Sequence, residues 1–125
     1  MYWSGSDGKV AITSDGVAIS RPTHSAYMFQ MFENIESMVG KTYTVAAKMR
    51  GSGCVGWSDA VYGRKFTSYT GDDWKIVTHT FTVASSSFSV GSAAVELRSN
   101  ANATAEFEWA ALYEGEYTAE TLPEY

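Results

Sequence analysis

Three stretches of the chain alternate apolar and polar side chains with a period of two: Lys41–Arg50, Trp74–Val83 and Ala105–Tyr113. Successive side chains of an extended strand point to opposite faces, so this spacing commits each stretch to a half-covered β-strand. In the first, Tyr43, Val45, Ala47 and Met49 form the core face, and Thr42, Thr44, Ala46, Lys48 and Arg50 the solvated or binding face. In the second, Val77, His79, Phe81 and Val83 oppose Thr78, Thr80 and Thr82. In the third, Ala105, Phe107, Trp109 and Ala111 share a face, Glu106 and Glu108 start the other, and that other face turns apolar at Ala110 and Leu112. Composition agrees, with ten Val, twelve Thr, fifteen Ser and eleven Gly against three Leu, a supply suited to strands and turns rather than to helices.

Shorter signals fill the intervals. Lys9–Thr13 and Val17–Ser20 flank Ser14-Asp15-Gly16, a hairpin pattern, and Pro22 ends it in a loop or sheet edge. Ala26–Phe32 is apolar on both faces and reads as a covered central strand. Ile35, Met38 and Val39 are spaced as one helical turn closed by Gly40. Gly51, Gly53 and Gly56 loosen the chain, with a short strand at Cys54, Val55 and Trp57 across the bend. Lys65–Tyr69 and Phe88–Val90 read as brief extended pieces, and Gly71-Asp72-Asp73 and Asn100–Asn102 as turns. Val95 and Leu97 point inward, Glu96 and Arg98 outward. Strands recurring every 10 to 15 residues predict an all-β, two-sheet antiparallel sandwich of jelly-roll type with at most one or two helical turns. One domain of residues 1–125 is expected: an N-terminal hairpin and loop (1–25), the sandwich (26–113) and an extension without period (114–125). Its predicted core is Tyr43, Val45, Val77, Phe81, Val95, Leu97, Phe107 and Trp109, and Trp74 is also expected to pack inward.

Several function classes are disfavoured. A net charge of −5 argues against nucleic acid, whose partners carry a basic patch. No apolar run approaches a membrane span. The start Met1-Tyr-Trp-Ser-Gly lacks the basic and apolar stretches of a signal peptide. The lone Cys54 rules out an internal disulfide and is expected as a packed free thiol. No nucleophile elbow, phosphate loop or zinc-protease helix is present. His79, between Val77 and Phe81, reads as a satisfied core or edge histidine. Glu106 and Glu108 point the same way on one strand, whereas retaining glycosidases need two carboxyls flanking a bond. No enzyme activity and no cofactor are expected.

Four segments carry a resemblance: Gln30-Met-Phe-Glu-Asn with Gly40–Gly51, Asp73-Trp-Lys with Phe81-Thr-Val83, Phe107–Gly115, and Tyr117–Pro123. Together they resemble the jelly-roll module of phage and prophage tail-fibre and related tail proteins, itself similar to the carbohydrate-binding modules of glycoside hydrolases. The likeness covers Gln30 to Pro123 and rests on short structural motifs. It implies a non-enzymatic module in a virion tail or outside the cell, attaching to host-surface glycan or supporting a fibre, with self-association through that fibre. The rival readings are a carbohydrate-binding module of a secreted bacterial glycoside hydrolase and a structural assembly domain without ligand. The stretch Cys54–Tyr69 has no counterpart in the family pattern, and in the family chain usually continues beyond the point reached at Leu122–Tyr125, which fits either an excised domain or a naturally short protein. The family also implies a structural calcium near the sheet edge, for which Glu33, Glu36, Asp72 and Asp73 are the weak candidates.

Sugar recognition uses aromatic faces against pyranose rings and forked or charged donors for hydroxyls. Trp57, Tyr62, Phe66 and Tyr69 lie in the segment after the glycines, with Arg64 and Lys65 beside them and Lys48 and Arg50 on the preceding strand. The expected site joins that segment to the polar face of Lys41–Arg50, where Thr44, Gln30, Glu96 and Arg98 could line a groove. The bland alternative keeps Trp57 and Phe66 in the core and leaves the cations solvated.

Overall fold

The computed structural model describes the backbone of residues 4–5, 9–13, 16–21, 27–31, 38–59, 63–83, 94–100 and 102–123, and the side chains of 38–57, 65–83, 95–100 and 102–123. Among the described residues eight strands occur in chain order: β1 (Ser4–Gly5), β2 (Lys9–Thr13), β3 (Gly16–Arg21), β4 (Tyr27–Met31), β5 (Thr42–Asp59), β6 (Gly63–Thr82), β7 (Ala94–Ser99) and β8 (Ala103–Glu114). All pairings are antiparallel, along the path β1-β4-β7-β5-β8-β3-β2, with β6 on the other side of β5. Among the described residues no helix is long and apolar enough to cross a membrane.

The predicted strands that fall on the described residues are present, but two pairs of them are fused. The glycine-rich bend and the short strand after it continue Lys41–Arg50 into the 18-residue β5, and Lys65–Tyr69 runs on through Trp74–Val83 as the 20-residue β6. The expected turn at Gly71-Asp72-Asp73 is instead an irregularity inside β6. Gly51 pairs with Gly71 and Met49 with Lys75, so Asp72, Asp73 and Trp74 lie opposite Arg50 alone. Unequal residue counts across a ladder bend both strands. Gly51 has φ +95°, and a Cβ there would meet the Thr104 carbonyl oxygen, so the corner excludes any other residue without strain.

One bent hairpin therefore serves two sheets. On its free side the first half of β5 (Tyr43–Gly51) pairs with β8, and the second half (Gly53–Ser58) pairs with β7. The halves face each other across a shared core. One cluster joins Ala47, Met49, Val77, Ala105 and Phe107 to Val55 and Leu97 of the opposite sheet. A second joins Val45, Phe81 and Val83 to Trp57 and Val95, with Met38 at its end. Trp57 stacks on Phe81 with ring centroids 4.3 Å apart and planes 7° apart, an inter-sheet contact that adds to the apolar area both rings bury. The N-terminal hairpin belongs to the first sheet through β3–β8 pairing, and its Thr13↔Gly16 register leaves two residues between the strands. Gly40 closes the turn before β5 as expected, with φ +78° and its N–H donating to the Val83 carbonyl. The rest of the proposed helical turn (Glu33–Ser37) and the Phe88–Val90 piece lie outside the described residues.

Of the predicted core, Val45, Val77, Phe81, Val95, Leu97 and Phe107 are buried, and Tyr43 packs partly buried against them. Trp109 and Trp74 are corrections, since neither joins the core. Lys48 pairs with Trp109 but Met49 pairs with Phe107, so Glu108 is an extra residue in β8. That bulge turns the next residue over. After it, Ala110 and Leu112 face inward and Trp109, Ala111 and Tyr113 face outward. Glu96, expected outside, is buried at 3 % exposure.

His79 is part-buried and bonded through Nδ1 to the Thr67 hydroxyl, 3.1 Å away on the other half of β6. Burial pushes its pKa below the usual 6.5. Cys54 is a buried free thiol whose pKa burial raises to about 11, which makes it a poor nucleophile.

Two predictions follow from the packing. Phe81→Ala should cost roughly 3–5 kcal/mol in denaturant unfolding, while Trp109→Ala should cost less than half as much; equal losses would return Trp109 to the core. For His79 the folded pKa lies below the unfolded one, so both states are neutral above about pH 6.5, and acidification protonates the unfolded chain first. Stability should fall as pH drops from 6.5 through the folded pKa. His79→Gln should flatten that part of the pH–stability curve, and an unchanged curve would remove the histidine from it.

Candidate functional site

The outward face of the sheet containing the first half of β5 holds the candidate site. Register places its side chains in rows across β6, β5 and β8. Trp74 lies on β6 beside the row Arg50–Glu106, followed by Ile76–Lys48–Trp109, Thr78–Ala46–Ala111 and Thr80–Thr44–Tyr113. Each strand contributes every second residue, which is why the threonines, the cations and the outward-turned aromatics share one surface.

The polar end is tightly organised. Arg50 donates from Nε and Nη2 to Glu106 Oε2 at 3.1 and 2.9 Å, and its guanidinium lies 4.5 Å from the Trp74 ring centroid. Lys48 Nζ is 2.9 Å from Glu108 Oε2. The carboxylates hold the cations in place, and the Trp74 face supports the guanidinium.

The far end is closed by residues 115–123, which have no period in sequence yet fold back as a strap. Gly115, at φ +117°, turns the chain out of β8. The Thr44 hydroxyl donates to the Gly115 carbonyl at 2.8 Å and accepts from the Tyr117 N–H at 3.1 Å. Thr118 and Thr121 close a turn, with the Thr118 N–H donating to Thr121 Oγ1 and the Thr121 N–H to the Thr118 carbonyl. Thr44 and Ala46 are thus fully buried although they belong to the face expected to be solvated. Between the strap and the sheet lies a groove of about 500 Å³, lined by Ile76, Trp109, Ala110, Ala111, Tyr113, Ala119, Leu122 and Pro123. That volume is within the range of small-ligand sites.

The residues singled out by sequence reasoning do not converge on one place. Lys48 and Arg50 belong to this face. Trp57 is a correction: at 1 % exposure, stacked on Phe81, it offers no ring face to solvent. Tyr69 packs against the core and its hydroxyl donates to the Asp73 carbonyl at 2.8 Å, with Lys75 Nζ 5.3 Å from its ring. Lys65, opposite Trp57 on β6, lines with it a smaller cleft of about 300 Å³ that His79, Thr80, Phe81 and Thr82 complete. Phe66 faces outward on the other sheet, with the Arg98 guanidinium 5.1 Å from its ring. Glu96 and Arg98 are therefore separated from Lys48 and Arg50 by the thickness of the sandwich. Arg64 pairs with Ser58 through the backbone. Tyr62, Glu33, Glu36 and the side chains of Arg64 and Gln30 lie outside the described residues. Asp72 and Asp73 are exposed, and among the described residues no three His, Cys, Asp or Glu side chains are grouped to hold a metal.

Trp109, Trp74 and the strap are the parts that sequence reasoning missed. The signal for Trp109 was a change of phase: Ala105 and Phe107 are odd-numbered, Ala110 and Leu112 even-numbered.

No protein-family model matches the chain, and no curated protein matches it. Solved structures do. A CBM4 structure superposes with TM-score 0.62 at 16% identity, over 90% of this chain and 94% of the other. A family 16 carbohydrate-binding module-2 superposes with TM-score 0.59 at 16% identity, over 90% of both chains. The enzymatically active domain of bacteriophage CBA120 tailspike protein 4 gives TM-score 0.52 at 12% identity, over 90% of this chain and 18% of that one. At these identities the likeness is one of fold: the chain is a β-sandwich of the kind found in carbohydrate-binding modules.

Proposed function

We propose that this protein is a non-catalytic glycan-binding module whose site is the outward face bearing Trp109 and Trp74. One observation carries the reading. The bulge at Glu108 takes the largest side chain of β8 out of the core and places it, partly buried, in an open groove beside paired charges. Bulges recur where a strand must re-aim a side chain for function. An indole face beside fixed cations and carboxylates is the combination a pyranose needs, apolar C–H face on one side and hydroxyls on the other. Lys48, Arg50, Glu106 and Glu108 are the hydroxyl partners in this reading. Both carboxylates are tied to cations on one face, an arrangement unsuited to cleaving a bond held between two acids.

For context, a phage or prophage tail appendage is supported by the sequence motifs and the tailspike likeness, and self-association through a fibre belongs to that setting. A module appended to a secreted hydrolase is supported by the carbohydrate-binding-module likenesses. Either setting is outside the cell or on a virion.

A glycan array with the intact protein should reveal ligands of roughly micromolar to millimolar affinity. Trp109→Ala and Trp74→Ala should each weaken binding about tenfold or more with small changes in melting temperature. Binding that survives both substitutions would move the site off this face, and an array without a single ligand would leave the structural-domain reading.

A further inference from the structure

Building on the glycan-binding reading, we infer that the groove selects sugars bearing a methyl group, either a 6-deoxyhexose or an acetamido sugar, with that methyl directed under the C-terminal strap. The face has a polarity gradient. At one end Arg50–Glu106 and Lys48–Glu108 offer fixed donors and acceptors. Toward the strap Ala111, Ala119, Leu122 and Pro123 line the groove with aliphatic side chains, and Tyr113 is the one residue lining that end whose side chain carries a hydroxyl. A fully hydroxylated pyranose carries hydroxyls around its whole rim, so seating it on Trp109 directs at least one hydroxyl at this aliphatic wall. A buried hydroxyl without a partner is penalised, whereas a methyl in its place is buried favourably. A sugar whose rim is polar on one side and ends in a methyl on the other matches the gradient.

The strap makes the wall. Leu122 and Pro123 have no counterpart on the sheet itself, and they are held over it by the Thr44 hydrogen bonds and the Thr118–Thr121 turn. Leu122 is therefore the specificity-determining residue of the strap, and Ala111 that of the sheet.

The test is titration of the intact protein, followed by NMR, with matched sugars: L-fucose against L-galactose, L-rhamnose against L-mannose, and N-acetylglucosamine against glucose. At least one methyl-bearing member should bind roughly tenfold or more tightly than its partner, the usual scale for one apolar group in a fitted pocket. The first two pairs identify a deoxy sugar and the third an acetamido sugar. Leu122→Ser and Ala111→Ser should each reduce that preference, with folding checked by the melting temperature. Equal affinity within every pair, or a preference untouched by both substitutions, overturns the inference while the glycan-binding reading stands. Absence of binding to any sugar here and on the array overturns both, as does an apolar peptide that binds instead and is lost in Trp109→Ala.

Discussion

The corner at Gly51 is the constraint on which the rest of the molecule depends. Its positive φ and its contact with the Thr104 carbonyl let a single hairpin leave one sheet and enter the other without breaking the β5–β6 ladder. The core shared by the two sheets follows from that bend. Trp57 reaches Phe81 only because the second half of β5 folds over the first. Thr67 reaches His79 only because β6 folds with it. A straight hairpin of this length would expose both apolar faces and bury neither.

The second irregularity, at Glu108, has the opposite consequence. The Gly51 corner brings apolar side chains together, while the extra residue in β8 takes one away from them. Its effect is felt on both faces. Inside, Ala110 and Leu112 fill the positions next to the core. Outside, Trp109 joins Ile76 and the strap, and Glu108 comes within 2.9 Å of Lys48. Placing a tryptophan partly in water forgoes hydrophobic stabilisation, and a feature that does so beside a groove fits recognition better than packing.

How much of this the residues disclose on their own depends on how local the cause is. Lys41–Arg50 and Trp74–Val83 are legible because alternation is a direct readout of two faces, and Val45, Val77 and Phe81 are buried as their spacing requires. Gly51 is recognisable as a place where the chain bends, but nothing nearby tells whether the strand stops or turns through a corner while staying paired. Trp109 is misplaced by carrying one parity through Glu108, although Ala110 and Leu112 already mark the shift. The strap is illegible because it is held by Thr44, some seventy residues away, and its own residues have no period. Trp57 and Phe66 look alike in sequence, aromatic residues in a polar, glycine-containing segment, yet one is core and the other faces outward; only the register of β5 against β6 separates them.

The most direct measurement is of the neighbours of the Trp109 indole in solution, by nuclear Overhauser contacts in an NMR spectrum with assigned methyl groups. If Glu108 is the extra residue of β8, the indole protons show cross-peaks to the methyls of Ile76, Ala111 and Leu122. Cross-peaks to Met49 and Val55 instead would place Trp109 on the same face as Phe107, abolish the bulge and remove the groove on which the functional reading rests.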